Sequence, residues 1–243
     1  HPEPAESEAR LRRLGSGSIK KMPKPFDKTQ GKQVRHDKSE SRILSISSSP
    51  SEDFLMVTYK KGISPYKQSL QNLRDGDFVK NSHPAGTVVI DDSAPMVMFS
   101  GGIGIAPHRS MIKWAVDRKL DLPITLIYSN SNEEFIFKKE LDSWQKQLPG
   151  LIIHYVVTSK DGHLDDQKLQ GLLTSRFKSP TSRLWRGSPL AVHFPVPSEV
   201  EGSLLTSIHY LAGPPKMVDD FENILLKLGV DSVNIRTDRF DGY

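Results

Sequence analysis

A glycine-rich turn between an apolar run and an amphipathic run is the feature that most constrains how this chain can fold. The run Ser100-Gly-Gly-Ile-Gly-Ile-Ala-Pro107 directly follows the apolar Met96-Val-Met-Phe99 and precedes helical spacing from Pro107 to about Lys119. Glycines let a backbone approach a phosphate closely, and a helix N-terminus presents free N–H groups and a positive dipole end. A strand, a glycine-rich turn and a helix in succession are therefore typical of dinucleotide binding. A tight turn that binds nothing remains the alternative for this motif alone.

After Pro95 the chain alternates apolar runs of strand length with amphipathic runs of helical length. Uninterrupted apolar strands that alternate with helices are typical of a parallel sheet covered on both faces, so an α/β domain is predicted. The predicted strands are Met96–Phe99, Ile124–Tyr128, Leu151–Val157, Ile208–Leu211 and Val233–Ile235, and the predicted helices are Pro107–Lys119, Glu133–Leu148, Asp165–Leu173 and Pro214–Leu228. The segment Phe177–Ser203 is predicted to be an inserted surface loop.

The first part of the chain has a different sequence pattern, in which short runs of strand-forming residues are separated by turn residues. Many short strands with Gly and Pro turns suggest a small antiparallel barrel. The predicted strands are Arg42–Ser47, Phe54–Tyr59, Val79 and Thr87–Ile90, with a short helix over Tyr66–Leu73. The stretch His1–Lys24 has few large apolar residues, so a loosely ordered arm is expected there, with a short strand near Ile19. The predicted organisation is an arm over 1–24, a barrel over 25–92 and an α/β domain over 93–243.

Composition excludes several classes of chemistry. The 243 residues contain no cysteine, which excludes a disulfide framework, a thiolate zinc site, a cysteine nucleophile and a cysteine-ligated iron–sulfur cluster within them. The eight histidines show no metal-ligand spacing, so no metal site is predicted. The net charge of +4 does not suggest nucleic-acid binding. No apolar run reaches the ~20 residues of a membrane helix, so membrane insertion is not expected and a cytoplasmic location is.

Three further motifs each allow two interpretations. The run Leu211-Ala-Gly-Pro-Pro-Lys-Met217 lies between a predicted strand and a predicted helix; its prolines either wall a ligand or simply start the helix. In the predicted strand Arg42-Ile-Leu-Ser45, alternation would place Arg42 and Leu44 on one face and Ser45 on the other. That arginine is either a phosphate clamp or a surface residue. The terminal Arg239-Phe-Asp-Gly-Tyr243 either packs into the core or stacks on a planar cofactor.

Along the chain the four motifs follow one another as Arg-x-x-Ser, Gly-Gly-x-Gly-x-x-Pro, Gly-Pro-Pro-x-Met and a terminal aromatic residue. In that order, from about Pro25 to Tyr243, they resemble the ferredoxin–NADP reductase-like family of flavoprotein oxidoreductases. The resemblance implies an N-terminal antiparallel barrel that binds FAD and a C-terminal Rossmann-like domain that binds NAD(P)H. The residues implied for FAD are Arg42, Leu44, Ser45, Gly62, Ser64, Phe240 and Tyr243; those implied for NAD(P)H are Gly101, Gly102, Gly104, Pro107, Ser129, Asn130, Gly213, Pro214, Pro215 and Met217.

The same resemblance implies individual roles. Arg42 would contact the FAD pyrophosphate, and Ser45 would lie beside the reactive flavin nitrogen. Phe240 and Tyr243 would cover the other face of the flavin, which makes Ser45 and Tyr243 the implied catalytic residues. Leu44 stands where the family usually has an aromatic residue.

Other departures from the family pattern bear on the chemistry. Ala212 stands where better-known members have a cysteine before Gly-Pro-Pro. The run Tyr128-Ser-Asn-Ser131 lacks the arginine that often binds a 2′-phosphate, which favours NADH unless Lys138 or Lys139 substitutes. The first barrel strand of the family is hard to find, so either the arm or a partner supplies it, or FAD binding is compromised.

These observations lead to one functional hypothesis and one alternative. The hypothesis is a flavin-dependent NAD(P)H oxidoreductase that passes hydride from the nicotinamide to FAD and electrons on to an external acceptor, such as a separate iron–sulfur or flavin protein. The alternative is a non-catalytic subunit that keeps the fold and binds a nucleotide or a partner.

Overall fold

The computed structural model describes residues 7–10, 12–13, 19–23, 42–81, 84–164, 168, 171 and 204–240. These divide between two compact units. The first unit lies within His1–Thr87 and Ala106–Asp117, and the second within Val88–Ile105 and Arg118–Gly242. The predicted domain boundaries at 24/25 and 92/93 stay predictions. The predicted helix Asp165–Leu173 lies largely outside the described residues, and the predicted loop Phe177–Ser203 lies entirely outside them.

The first unit contains two small antiparallel sheets. Its elements are β1 (Ser7–Arg10), β2 (Arg12–Arg13), β3 (Ile19–Pro23), β4 (Phe54–Thr58), α1 (Pro65–Asn72) and β5 (Phe78–Asn81). Strand β1 pairs with β5, while β2, β3 and β4 form a three-stranded sheet in that order. Residues of the stretch expected to be a loosely ordered arm thus supply three strands, including the one expected near Ile19. In the described residues the two sheets are separate, so the closed barrel stays a prediction.

Two predicted strands of this part of the chain were wrong. In Arg42–Ser47, only Ile46 forms a bridge, to Val57. The chain beyond it turns back, and side chains take up backbone donors there: the Met56 N–H donates to Ser48 Oγ at 2.9 Å and the Ser49 N–H to Glu52 at 2.8 Å. Serine and acidic side chains that bond to nearby backbone compete with a strand ladder.

The second wrong strand is Thr87–Ile90, which has no strand partner in the structure. The carbonyl of Val89 accepts from the Tyr210 hydroxyl at 3.0 Å and from Arg236 at 3.0 Å. Side chains therefore satisfy an acceptor that a neighbouring strand would otherwise have satisfied.

The second unit is built on a five-stranded parallel sheet, which confirms the predicted Rossmann-like domain. From Met96 onward the elements of the chain are β6 (Met96–Gly101), α2 (Ile105–Asp117), β7 (Ile124–Asn130), α3 (Lys138–Gln147), β8 (Leu151–Val157), α4 (Thr158–Asp161), β9 (Ile208–Gly213), α5 (Pro215–Lys227) and β10 (Ile235–Arg239). Residues Ala106–Asp117 of α2 belong to the first unit. The strand order is β10-β9-β6-β7-β8. Every residue of β6 and β9 is buried, as continuous apolar runs predict for central parallel strands.

The core of the second unit lies between this sheet and helix α5. Apolar residues at 218, 221, 224 and 225 share one face of α5 and pack on strand residues that include Val97, Phe99 and Leu211. The ring centres of Phe99 and Phe221 are 5.3 Å apart. In the described part of the chain, no helix is long and apolar enough to cross a membrane.

The variant Phe221→Ala should lower the free energy of unfolding by about 3–5 kcal/mol, because it opens a cavity between α5 and the sheet. Urea denaturation followed by circular dichroism measures the change. Leu226→Ala on the same helix is the matched control, since that side chain is 44% exposed and should cost far less. Equal losses from the two variants would contradict the proposed core.

Candidate dinucleotide site

The candidate site lies where the order of the parallel strands reverses. Strand β6 is flanked by β7 on one side and β9 on the other, so the connections that follow β6 and β9 diverge in opposite directions. Ligands of open α/β sheets bind in the crevice outside the carboxyl ends of two such strands. The turn after β6 holds Gly101, Gly102 and Gly104, and the turn after β9 holds Gly213 and Pro214. The structure therefore brings together both motifs predicted for NAD(P)H.

Three of these glycines are required because the two turns touch each other. A β-carbon built at Gly104 would overlap the Ala212 carbonyl oxygen and lie 2.8 Å from the Gly213 Cα. At Gly213, where φ is +150°, it would lie 3.1 Å from the Gly101 backbone. One built at Gly101 would lie 2.9 Å from Met217 Cε. Protein packing thus accounts for Gly101, Gly104 and Gly213 without a ligand.

Gly102 is different, because its backbone conformation favours glycine while the space beside it is open. Its φ is +52°, in the left-handed region that favours glycine, and a β-carbon there would meet only Asn130 Oδ1, at 3.8 Å. Gly102 opens the 3-10 turn Gly102–Gly104, which runs directly into α2 at Ile105. The Gly102 backbone is therefore the part of the turn that a phosphate can approach.

The end of β7 forms the neighbouring wall. Ser129 lies opposite Gly101 in the strand register. The Asn130 amide nitrogen donates to Asn132 Oδ1 at 3.0 Å and to the Glu134 carbonyl at 3.1 Å. These bonds hold the Asn130 side chain while its Oδ1 faces the Gly102 turn. Both residues predicted on this strand lie beside the crevice.

The three predicted prolines differ in position. The sequence placed Pro107 at the first helical position, but α2 begins at Ile105 and Pro107 is buried in its first turn. Pro214 is exposed and precedes α5, and Pro215 is its first residue. Of the three prolines, Pro214 is therefore the one exposed beside the crevice, while Pro215 is partly buried.

Of the C-terminal aromatics, Phe240 is tied to the crevice by its backbone. Its N–H donates to the Gly213 carbonyl at 2.9 Å, and its side chain is buried in the second unit. Tyr243 lies outside the described residues. A role for either ring against a flavin stays a prediction.

In the first unit, the residues predicted for the FAD pyrophosphate gather at the N-terminus of α1. The Arg42 guanidinium lies 5.9 Å from the ring centre of Tyr66, in the first turn of that helix. Ser64 caps the helix, accepting from the Lys67 N–H at 3.3 Å, and the Gly62 carbonyl accepts from Gln71 at 3.0 Å. A cationic fork beside a helix N-terminus suits an anion.

Leu44 and Ser45 follow Arg42 and are both partly buried. Because no strand forms over Arg42–Ser47, the predicted alternation of Arg42 and Leu44 against Ser45 does not apply. Their predicted roles beside a flavin stay predictions.

An anchor that sequence reasoning missed holds the segment beyond Ser45. Arg109 of α2 is 2% exposed and donates to the Ser47 carbonyl at 2.9 Å and to both carboxylate oxygens of Glu52, at 2.7 and 3.1 Å. Burial would raise the pKa of Glu52, but hydrogen bonds from Arg109 and the Ser49 N–H outweigh it and lower that pKa. The sequence did contain a signal for this anchor. Arg109 lies three residues before Ile112, which places the arginine on the apolar face of α2, where a buried charge needs a partner.

Within the described residues, no group of three or more potential ligands could hold a metal ion.

Comparison with known proteins supplies independent findings. Residues 98–223 match the oxidoreductase NAD-binding domain family. Flavohemoprotein A of Dictyostelium discoideum is 25% identical over 89% of this chain, which spans 50% of that protein. The reductase component 1 of terephthalate 1,2-dioxygenase from Comamonas is 23% identical over 88% of this chain, which spans 59% of that protein. The match thus spans between half and three fifths of the length of these relatives.

Among solved structures, a ferredoxin–NADP+ reductase from Plasmodium falciparum is similar in fold. The TM-score is 0.64 at 18% identity, and the match covers 97% of this chain and 96% of the reductase. At this identity the likeness establishes the fold only.

Glu52→Gln should lower the free energy of unfolding at neutral pH by about 3 kcal/mol, because it leaves the buried Arg109 guanidinium without its countercharge. The pKa of Glu52 is lowered from 4.5, so the ionised carboxylate stabilises the fold above that pH. This contribution is lost as the pH falls through the folded-state pKa. The difference between wild type and variant should therefore shrink at acid pH.

Urea denaturation at neutral pH and at a series of values below 4.5 measures this difference. The matched control is Glu133→Gln, which removes an exposed ion pair with Lys160 and should change little. A pH-independent difference would contradict the assigned ion pair.

Proposed function

Because the chain belongs to the oxidoreductase NAD-binding domain family, we propose that it is a flavin-dependent NAD(P)H oxidoreductase of the ferredoxin–NADP reductase type. The observation that carries the proposal is the crevice at the strand-order reversal, where the open Gly102 backbone faces Asn130. In an α/β sheet of this order, that position is where a dinucleotide binds.

The residues of the crevice fit a nicotinamide dinucleotide. Gly102 lets the backbone approach the pyrophosphate, and the start of α2 contributes N–H groups and the positive end of its dipole. Asn130 and Ser129 wall the side toward β7, and Pro214 walls the side toward β9. These residues stand at or directly after the ends of β7 and β9, so they would orient a dinucleotide bound between them.

The residues at α1 fit the pyrophosphate of FAD. Arg42 supplies a cationic donor fork, and the helix that begins at Pro65 supplies a positive dipole end beside it. When bound, a flavin accepts hydride from reduced nicotinamide and releases the electrons to an acceptor. The task of these side chains is to hold the anionic part of the cofactor and keep it in one orientation.

NADH is the proposed electron donor. At the end of β7 the run Tyr128-Ser-Asn-Ser131 carries no arginine for a 2′-phosphate. Lys138, which could substitute, is paired with Asp142 at 2.7 Å, and its Nζ lies 4.1 Å from the ring centre of Tyr155. A lysine held by a carboxylate and an aromatic ring is a poorer partner for an additional phosphate.

The proposed electron acceptor is a separate electron-carrier protein. Relatives include reductase components of terephthalate and naphthalene dioxygenase systems. These 243 residues hold no cysteine to ligate an iron–sulfur cluster, so the proposal assigns such a centre to a partner. The cytoplasm stays the predicted location.

The test of the proposal is a flavin spectrum. The purified protein is supplied with FAD, its visible absorption is recorded, and NADH or NADPH is added without oxygen. Bleaching of a bound flavin, faster with NADH, is expected. Nucleotide binding without bleaching would instead support the non-catalytic alternative, and failure to retain FAD would overturn the proposal.

Gly102→Ala should weaken dinucleotide binding by about tenfold, because a β-carbon enters the space where the phosphate approaches and a left-handed backbone is strained with alanine. Calorimetric titration with NADH measures the affinity. Gly229→Ala is the matched control, since Gly229 also has a positive φ, of +87°, but follows α5 at the other end of that helix. An equal loss of affinity in both variants would contradict the assigned role of Gly102.

A further inference from the structure

Met217 stands apart from the other methionines in its solvent contact. Among the methionines whose burial the structure describes, four are 5% exposed or less, and Met217 alone is partly buried. The four buried residues are Met56, Met96, Met98 and Met111. The chain also has no cysteine, so Met217 is the least buried of the sulfur-containing residues whose burial the structure describes.

The Met217 thioether lies at the crevice of the proposed dinucleotide site. Met217 is the third residue of α5, two positions after Pro215. Its Cε would lie 2.9 Å from a β-carbon at Gly101 and 2.8 Å from one at Gly213, and its Sδ lies closer still to the Gly101 position. The end of this side chain therefore fills the space above the two glycines where the β6 and β9 turns meet.

We infer that Met217 is an oxidation site whose sulfoxide weakens dinucleotide binding; this inference rests on the proposed function. The co-reactant is hydrogen peroxide. The sulfur loses two electrons, the O–O bond of the peroxide breaks, one oxygen forms the S–O bond, and the other leaves as water. The product replaces a flexible apolar side chain with a polar, chiral one.

The tight packing around the Met217 sulfur explains why its oxidation would lower the affinity for the dinucleotide. The glycines beneath it have no side chains that could rearrange, and the two turns already touch through Gly104 and Ala212. An oxygen added to this sulfur has no free space on the side of Gly101 and Gly213, so either the Met217 side chain or the two turns must move. Either movement alters the turns that would hold the pyrophosphate, and this lowers the affinity for the dinucleotide.

Limited peroxide treatment of the whole protein, followed by peptide mass mapping, tests the site. Met217 sulfoxide should form before the sulfoxides of the four buried methionines. Calorimetric titration of the same samples should show NADH affinity falling by about tenfold, the effect of losing one charge-assisted hydrogen bond. Treatment with methionine sulfoxide reductases of both stereospecificities and dithiothreitol should restore the affinity.

Two variants separate this site from the rest of the chain. Met217→Leu should show the same NADH affinity before and after peroxide, whatever its starting value. Met22→Leu, which keeps Met217, should still lose affinity on treatment.

The outcomes distinguish the inference from the proposed function. Earlier oxidation of a buried methionine, or full Met217 oxidation with unchanged NADH affinity, overturns the inference and leaves the proposed function standing. An untreated protein that binds neither NADH nor NADPH overturns both.

Discussion

The second unit depends on the contact between the turns that follow β6 and β9. These turns approach so closely that a β-carbon at Gly104 would overlap the Ala212 carbonyl. Because β6 and β9 are adjacent, completely buried strands, neither turn can retreat without disturbing the core. The two turns lead directly into α2 and α5, and their contact leaves the Gly102 backbone open on one side. Packing and a potential binding surface therefore arise from the same few residues.

Helix α2, which follows the glycine-rich turn, carries a second set of contacts on which the structure depends. Arg109 of this helix donates to the Ser47 carbonyl and to the Glu52 carboxylate. Ser110 of the same helix donates to the Ser48 carbonyl at 2.7 Å. Irregular backbone needs such partners, because it has no ladder of its own. The segment that follows Arg42 pairs with β4 only through the Ile46–Val57 bridge and the Ser47 N–H bond to the Met56 carbonyl, and side chains of α2 satisfy the carbonyls of Ser47 and Ser48.

The spacing of apolar residues and the positions of glycine and proline in turns predicted most strands and helices of the second unit. The strand Leu151–Val157 was predicted with its observed bounds, and α5 differs by one residue at each end. Long apolar strands and amphipathic helices have strong local signals, since burial on both faces dictates their composition. The first unit was predicted less well: Arg42–Ser47 has β-type residues, yet serine side chains and Arg109 satisfy much of the backbone around it. The strand propensity of a short segment contains no information about side chains far away in the sequence that can bond to the same backbone groups.

Three features could be read from the residues alone: the succession of strands and helices along the second unit, the glycine-rich turn after its first parallel strand and the absence of any cysteine. These follow from residue type and spacing, which act locally. Three relations could be learned only from the folded chain: which glycines are needed for packing and which one is open, that Glu52 pairs with Arg109, and that the Met217 sulfur lies over Gly101. Each involves residues far apart in the sequence, and these contacts exist only once the sheet and its turns have formed around them.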